Sequence, residues 1–259
     1  MTERVTLITG ASAGIGTELA RVFASHHHRV ALVARRAERL DALAQEIVAA
    51  GGAKPLVIAC DLRQPDAGDK IAAALTEANV EVEYLVNNAG YGLFGQADQL
   101  DRSAQLGMID LNIRTLTDLS LRFSASVIRL RGGILNVASI AGFLPGPGMA
   151  VYYASKAFVL SFTEALHAEL GRHGVRVTAL CPGPVLTEFQ QHAGFEPGVD
   201  SAILNVPAAD VARQGFEGLM ANKRAVLPGL GIKIVPLLLR FFPRGFVLAG
   251  VGKIQLRRR

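Results

Sequence analysis

Residues 139–156 read SIAGFLPGPGMAVYYASK, and directly before them residues 132–138 read GGILNVA. That apolar run is short and opens on glycines, which suits a buried strand better than a helix. Ser139 therefore stands where a strand runs out. The glycines and prolines from Gly142 to Gly148 make a loop, after which Val151, Ala154, Phe158, Phe162, Ala165 and Leu166 recur at helical spacing. On that helix Tyr152 and Lys156 are four residues apart and share a face. A tyrosine titrates at about 10. An ammonium about 4 Å away, at an effective dielectric of about 20, favours the phenolate by up to roughly 4 kcal/mol. The expectation is a phenol brought into the range of general acid and base chemistry. Tyr153 is also within helical reach of Lys156.

The strand, loop and helix order repeats upstream. Val5, Leu7 and Ile8 form a buried strand, TGASAGIG occupies residues 9–16, and a helical pattern follows through Leu19, Val22 and Phe23. Glycine turns of this kind let backbone approach a phosphate, and the helix N-terminus offers it unpaired N–H groups. Gly10, Gly14 and Gly16 would leave the space, with Ser12 and Ile15 along the phosphate path. The strand Val30 to Ala34 ends in Arg35 and Arg36. At that position an acid binds a free ribose 2'-hydroxyl and an arginine a 2'-phosphate, so the expected cofactor is NADP(H). Strands at Leu56 to Ala59 and Tyr84 to Val86 lead to Cys60-Asp61-Leu62 and Asn87-Asn88-Ala89-Gly90; the latter fits a tight turn or a cofactor contact. Residues 107–131 form a long helical pattern holding Asn112, either a satisfied core amide or part of a site. Val175 to Leu180 is a strand before Cys181-Pro182-Gly183-Pro184-Val185-Leu186-Thr187, residues 188–206 read as a mobile lid, 207–219 as a helix and Ala225 to Leu227 as a last strand. Alternating strands and helices of this kind define an α/β fold, a Rossmann-type doubly wound parallel sheet of seven strands in a single domain.

In order and spacing, the glycine turn, the Asn87 to Gly90 stretch, Ser139 and the Tyr152/Lys156 pair resemble the short-chain dehydrogenase/reductases over nearly the whole chain, to about residue 228. The resemblance implies catalytic Asn112, Ser139, Tyr152 and Lys156, with Asn112 anchoring a water that relays protons to Lys156. It implies cofactor contacts at Asp61 and Leu62 for adenine, at Asn88 and Gly90, at Pro182, Gly183 and Val185, and at Thr187 for the nicotinamide carboxamide. Lys156 would also hold the nicotinamide ribose. One NADP-type feature is missing, a basic residue before the second glycine, where Ala13 stands. The implied activity is NADPH-dependent interconversion of a carbonyl and a secondary alcohol. Its rivals are a silent NADP(H)-binding regulator on the same fold and a 3-oxoacyl-type reductase. Tyr91, Leu93, Phe94, Phe143, Leu144, Leu186, Phe189 and Phe195 are expected around the nicotinamide, which points to an apolar substrate, and the PGPVLTEF stretch is closer to lipid and hydroxysteroid-type members. Family members usually pair through two long helices, so a homo-oligomer is expected.

Half of the 259 residues are hydrophobic, enough for a large core. MTERVTLITG enters a strand directly with no signal-peptide pattern, and the expected location is the cytoplasm. Cys60 and Cys181 lack metal-ligand spacing, as do His26, His27 and His28, so no metal is expected. The charge is uneven: residues 218–259 carry nine Lys/Arg and no acid, against 18 basic and 22 acidic residues before them. No basic patch interleaved with aromatics suggests nucleic acid. Residues 229–259 form an apolar, basic extension beyond the catalytic domain of residues 1–228. It is too interrupted to span a bilayer and suits a cover over the pocket, a subunit contact, or a peripheral membrane contact.

Overall fold

The computed structural model describes residues 2–185, 187–189, 206–239 and 241–256. Leu186 and residues 190–205, which include Phe195 and most of the expected lid, lie outside the described residues.

Seven strands form one parallel sheet in the order β3-β2-β1-β4-β5-β6-β7. They are β1 Glu3–Thr9, β2 Val30–Ala34, β3 Leu56–Ala59, β4 Val80–Asn87, β5 Gly133–Val137, β6 Arg176–Leu180 and β7 Ala225–Val226. Parallel strands need long crossovers, and these are helices laid on both faces. Alternate residues of each strand therefore enter different cores. Ile8, Val30, Leu32, Val86 and Leu135 pack under α1 (Gly14–Ser25), α2 (Ala37–Ala49) and α8 (Ala208–Met220). Val5, Leu7, Ala31, Val33 and Ile134 pack under α3 (Ala67–Glu77) and the helices α5 (Leu116–Arg122), α6 (Ser124–Leu130) and α7 (Ala150–Gly171). The chain runs outward from β1 to β3, then returns to the other side of β1 as β4. Ligands of open α/β sheets sit beyond the strand ends at such a reversal.

The predicted helix over 107–131 is interrupted. Helix α4 (Arg102–Ile109) passes through a π-helical stretch, Asp110–Thr115, before α5, and α6 follows after Phe123. Asn112 lies inside the π stretch, a distortion that proteins often place at functional sites.

Helix α7 buries Ser155, Lys156, Val159, Leu160, Thr163 and Leu166 against the sheet. Half of the apolar stripe that announced it faces elsewhere: Ala154, Phe158 and Ala165 are exposed. Periodicity reveals a face of uniform chemistry without saying what covers it. Phe158 and Phe162 stack on each other with centroids 5.7 Å apart.

After β7 the extension forms α9 (Leu230–Leu239) and α10 (Arg244–Leu256). Ile232 is buried, and α9 packs on a short 3-10 turn, Ile140–Phe143, which overlaps the start of the predicted loop from Gly142 to Gly148.

Candidate active site

A cleft of about 740 Å³ opens at the reversal beyond the ends of β1 and β4. The glycine turn forms its floor. Gly10 and Gly14 hold φ values of 67° and 57°, a region most side chains avoid. A Cβ on Gly10 would come within 2.8 Å of the Asn88 amide and 2.9 Å of Ala89 Cα. Ala13, at the start of α1, supplies no side-chain cap, so that helix end presents bare N–H groups to the cleft. Asn88 Nδ2 donates to the carbonyls of Thr9 at 2.9 Å and Gly10 at 3.2 Å, while Thr9 Oγ1 accepts from the N–H of Asn88 and of Ala89. Asn88 is thus a brace for the turn as well as part of the wall. Such a floor fits a diphosphate.

Of the predicted cofactor residues, Ser12, Ile15, Arg35, Arg36, Asp61, Leu62, Gly90, Pro182, Gly183, Val185 and Thr187 join Gly10, Gly14 and Asn88 in lining the cleft, together with Ser139, Tyr152 and Lys156. Gly16 does not line it. It lies against the turn from behind, where a Cβ would meet the Gly10 carbonyl at 2.2 Å, so its part is close packing. Thr187 packs across Gly14, whose Cβ would fall 3.0 Å from its methyl.

The end nearest β2 and β3 is rich in exposed charge. Arg36 donates to Ser12 Oγ at 3.1 Å and to Glu188 at 2.8 Å. Arg39, on α2, pairs with the same carboxylate. Asp61 pairs with Arg63 at 2.9 Å, which pulls its carboxyl down to about 2; both arginines hold the Glu188 carboxyl down to about 2 as well. Arg63, Arg39 and Glu188 escaped the sequence reading. Glu188 and Arg36 are 152 residues apart, and only the fold brings them together.

The other end is buried. Tyr152, on the first turn of α7, stands beside the Ser139 side chain, which favours its ionised form against the effect of burial. Ser139 Oγ also accepts from the Ala141 N–H at 3.1 Å and donates a long bond to the Pro182 carbonyl. Tyr153 also lines the cleft, its ring over Gly146, where a Cβ would come within 2.2 Å of it. Lys156 Nζ donates to the Val137 carbonyl at 2.8 Å and lies 5.9 Å from the centre of the Tyr152 ring. Here the expectation of a lowered tyrosine needs correcting. Burial pushes Tyr152 up to about 12, opposed only by Ser139, and pushes Lys156 down to about 8. The cause is desolvation, which penalises both charged forms and outweighs their attraction when the ammonium is turned to a backbone carbonyl.

Asn112 lies behind this end and does not line the cleft. Its amide donates to the Tyr91 carbonyl and to Ser155 Oγ, both at 3.0 Å, and accepts from the Tyr91 N–H at 3.1 Å. The amide clamps the chain after β4 onto α7, and a Cβ on Gly90 would touch both Asn112 Oδ1 at 2.9 Å and Lys156 Nζ at 3.5 Å. Deeper still, Asn87 donates to Asn136 and Ser120, and Asn136 donates to Thr163. This buried chain joins β4, β5, α5 and α7 beneath the site. Asn136 was visible as the lone amide in GGILNVA, but no spacing rule marks it.

Among the described residues no cluster of His, Cys, Asp and Glu could hold a metal. Cys60 and Cys181 are buried and unpaired, and burial pushes the Cys181 thiol up to about 12.

Residues 4–196 match the short chain dehydrogenase family. The chain is 40% identical over 218 residues to a sulfoacetaldehyde reductase of Chromohalobacter salexigens, covering 81% of this chain and 85% of that one. It superposes on a short-chain dehydrogenase from Sphingobium yanoikuyae in complex with NADPH with a TM-score of 0.81, at 31% identity over 92% of each chain. A solved 7beta-hydroxysteroid dehydrogenase gives a TM-score of 0.87 at 25% identity over 96% of each chain. A phenol, a serine and a buried ammonium thus meet at the strand ends of a fold shared with named reductases and dehydrogenases, and the chain belongs to the short-chain dehydrogenase/reductase family, as a carbonyl/alcohol oxidoreductase.

Proposed function

We propose that the protein reduces an apolar carbonyl compound to a secondary alcohol with NADPH, or runs the reverse. The observation that carries this reading is the convergence of Ser139, Tyr152 and buried Lys156 on one wall of the cleft, at its apolar end. The nicotinamide cofactor, when bound, supplies or takes up the hydride. The other parts belong to this chain. Tyr152, protonated far beyond neutral pH, gives its proton to the carbonyl oxygen. Ser139 Oγ, whose hydrogen is spent on a long bond to the Pro182 carbonyl, turns it to that same oxygen and steadies the charge that grows there. Lys156 would hold the ribose and return a proton to Tyr152, with Asn112 fixing the surrounding backbone and, as in the family, anchoring a water that would relay protons.

The cofactor preference is supported by charge. Arg35, Arg36, Arg39 and Arg63 stand against Asp61 and Glu188 at the β2 end, an excess of two positive charges among the described residues. A 2'-phosphate carries close to two negative charges at neutral pH, and a bare hydroxyl would leave that excess unanswered. Of the apolar wall expected, Tyr91 and Phe189 line the cleft and Leu93, Phe94, Phe143 and Leu144 do not; Met149, Tyr153 and Ile140 stand with Phe189 around the reacting end and support an apolar substrate. Phe189 stands 5.5 Å from the Tyr152 ring, centre to centre. Relatives act on compounds as different as sulfoacetaldehyde and a hydroxysteroid, so this chain's own wall decides. A homo-oligomer is supported by the exposed apolar faces of α4, α5 and α7: Leu106, Ile109, Leu121 and Phe158.

The test is turnover of a series of ketones and aldehydes with NADPH and with NADH. Apolar ketones reduced faster with NADPH are expected. Tight NADPH binding without turnover of any carbonyl would replace the enzyme reading with the regulator.

A further inference from the structure

The extension after β7 carries an unpartnered apolar face. Ile234, Leu237, Leu238 and Phe241 follow one another at helical spacing along and just beyond α9, and Phe242, Phe246 and Leu248 continue the surface into α10. All are exposed, Phe241 to 79% and Phe246 to 74%. Water has no favourable role for so many large side chains close in sequence. The segment is nevertheless anchored. Ile232 is buried, and α9 rests on Ile140–Phe143, directly after Ser139. Gly252 of α10 faces Pro147 of the loop that delivers Met149 to the cleft wall. The two helices therefore pack on the loop that forms one wall of the cleft, with their apolar face turned away from it to solvent.

Charge decides what covers it. Lys233, Arg244 and Lys253 are exposed on the same two helices, and residues 218–259 hold nine cations and no acid. A second copy meeting this face about a twofold axis would set the same patch against itself, cation to cation. An anionic lipid surface answers both features at once: side chains enter the acyl boundary while lysine and arginine meet headgroups. Among the described residues no helix is long and apolar enough to cross a membrane, so the contact would be interfacial.

We infer that α9 and α10 dock this enzyme on an anionic membrane surface and hold the cleft near the headgroup boundary, where an apolar carbonyl compound concentrates. The purpose of the docking rests on the apolar-substrate reading; the docking itself is measured without turnover. The experiment is sedimentation of the full chain with vesicles of phosphatidylcholine and phosphatidylglycerol in equal parts, against phosphatidylcholine alone, at low and high salt. Binding to the mixed vesicles that salt reverses is expected. Lys233→Gln/Arg244→Gln/Lys253→Gln should weaken it on the order of a hundredfold, at about fivefold for each of the three charges. Phe241→Ser/Phe246→Ser should weaken it by at least about tenfold. Both variants alter exposed side chains, and both should keep the parent's melting temperature and its reduction of a water-soluble ketone. No sedimentation at low salt, or equal binding to both vesicle types, would overturn the inference. So would a Phe241→Ser/Phe246→Ser chain that loses its oligomer while vesicle binding is absent in the parent, which would assign the face to a second copy.

Discussion

The two ends of the cleft are built on opposite principles. At the β2 end, charged groups stand in partial contact with solvent and neutralise one another: Arg36 and Arg39 on Glu188, Arg63 on Asp61. At the β5 end, polar groups are buried among apolar ones, and Tyr152 and Lys156 are displaced toward their neutral forms. Water screens the first set, so each ion pair there is worth little and can be exchanged for a ligand's charge. Water screens the second far less, so small rearrangements carry larger effects. One end is suited to choosing between cofactors and the other to moving a proton. The sharpest way to break this contrast is Tyr152→Phe. Loss of the proton donor should lower kcat by about 10²- to 10⁴-fold, with cofactor affinity held within a fewfold and Tyr153→Phe keeping most activity. A Tyr153→Phe chain as inactive as Tyr152→Phe would end the division of roles between the two rings.

Lys156 comes next, because it alone belongs to both descriptions, a charge that is also buried. Its ammonium form is lost as pH rises through about 8, whereas Tyr152 keeps its proton to about 12. The basic limb of reduction should therefore lie near pH 8 and report Lys156. Lys156→Arg, which cannot titrate there, should move the limb upward, and Lys156→Ala should cost about ten- to hundredfold in cofactor affinity as well as turnover, as expected for one charge-assisted hydrogen bond. An unmoved limb in Lys156→Arg would assign it to another group.

How well each end could be read from the sequence follows from the same contrast. β2 and β3 fall where their continuous apolar runs predict, and the glycine turn, Arg35, Ser139, Tyr152 and Lys156 stand at the cleft because strand ends and helix faces are properties of short stretches. Three things were out of reach. The direction of the Tyr152 shift depends on how many atoms from distant elements exclude water. The π stretch places Asn112 against the Tyr91 backbone, a partner 21 residues away. The Glu188 bridge depends on the chain after β6 crossing to α2. Local pattern names the residues; tertiary packing sets their protonation and their partners.

The charged end gives the third test. Arg35 lines the cleft beside the Arg36 and Glu188 contact. Arg35→Ala should weaken NADPH by about ten- to hundredfold and leave NADH nearly unchanged, measured as the ratio of the two dissociation constants. Equal weakening of both would mean that Arg35 meets the diphosphate or adenine instead of the 2'-phosphate.

The smallest effect should come from Glu188→Gln, and it asks whether the pairs at this end are exchangeable at all. Glu188 holds Arg36 and Arg39 together with a carboxylate, the chemistry a 2'-phosphate would offer the same guanidiniums. If the phosphate replaces the carboxylate, NADPH binding must first break two exposed ion pairs. Each is worth a few tenths of a kcal/mol to about 1 kcal/mol, so removing the carboxylate's charge should tighten NADPH by about two- to tenfold. NADH offers no phosphate to take the vacated place, and its affinity should stay level. Added salt weakens the parent's ion pairs and should shrink the difference between the two chains. Titration of both cofactors into both chains at two salt concentrations checks this. NADPH bound more weakly by Glu188→Gln would show instead that the carboxylate helps to position the arginines, and that the charged end is as tightly organised as the buried one.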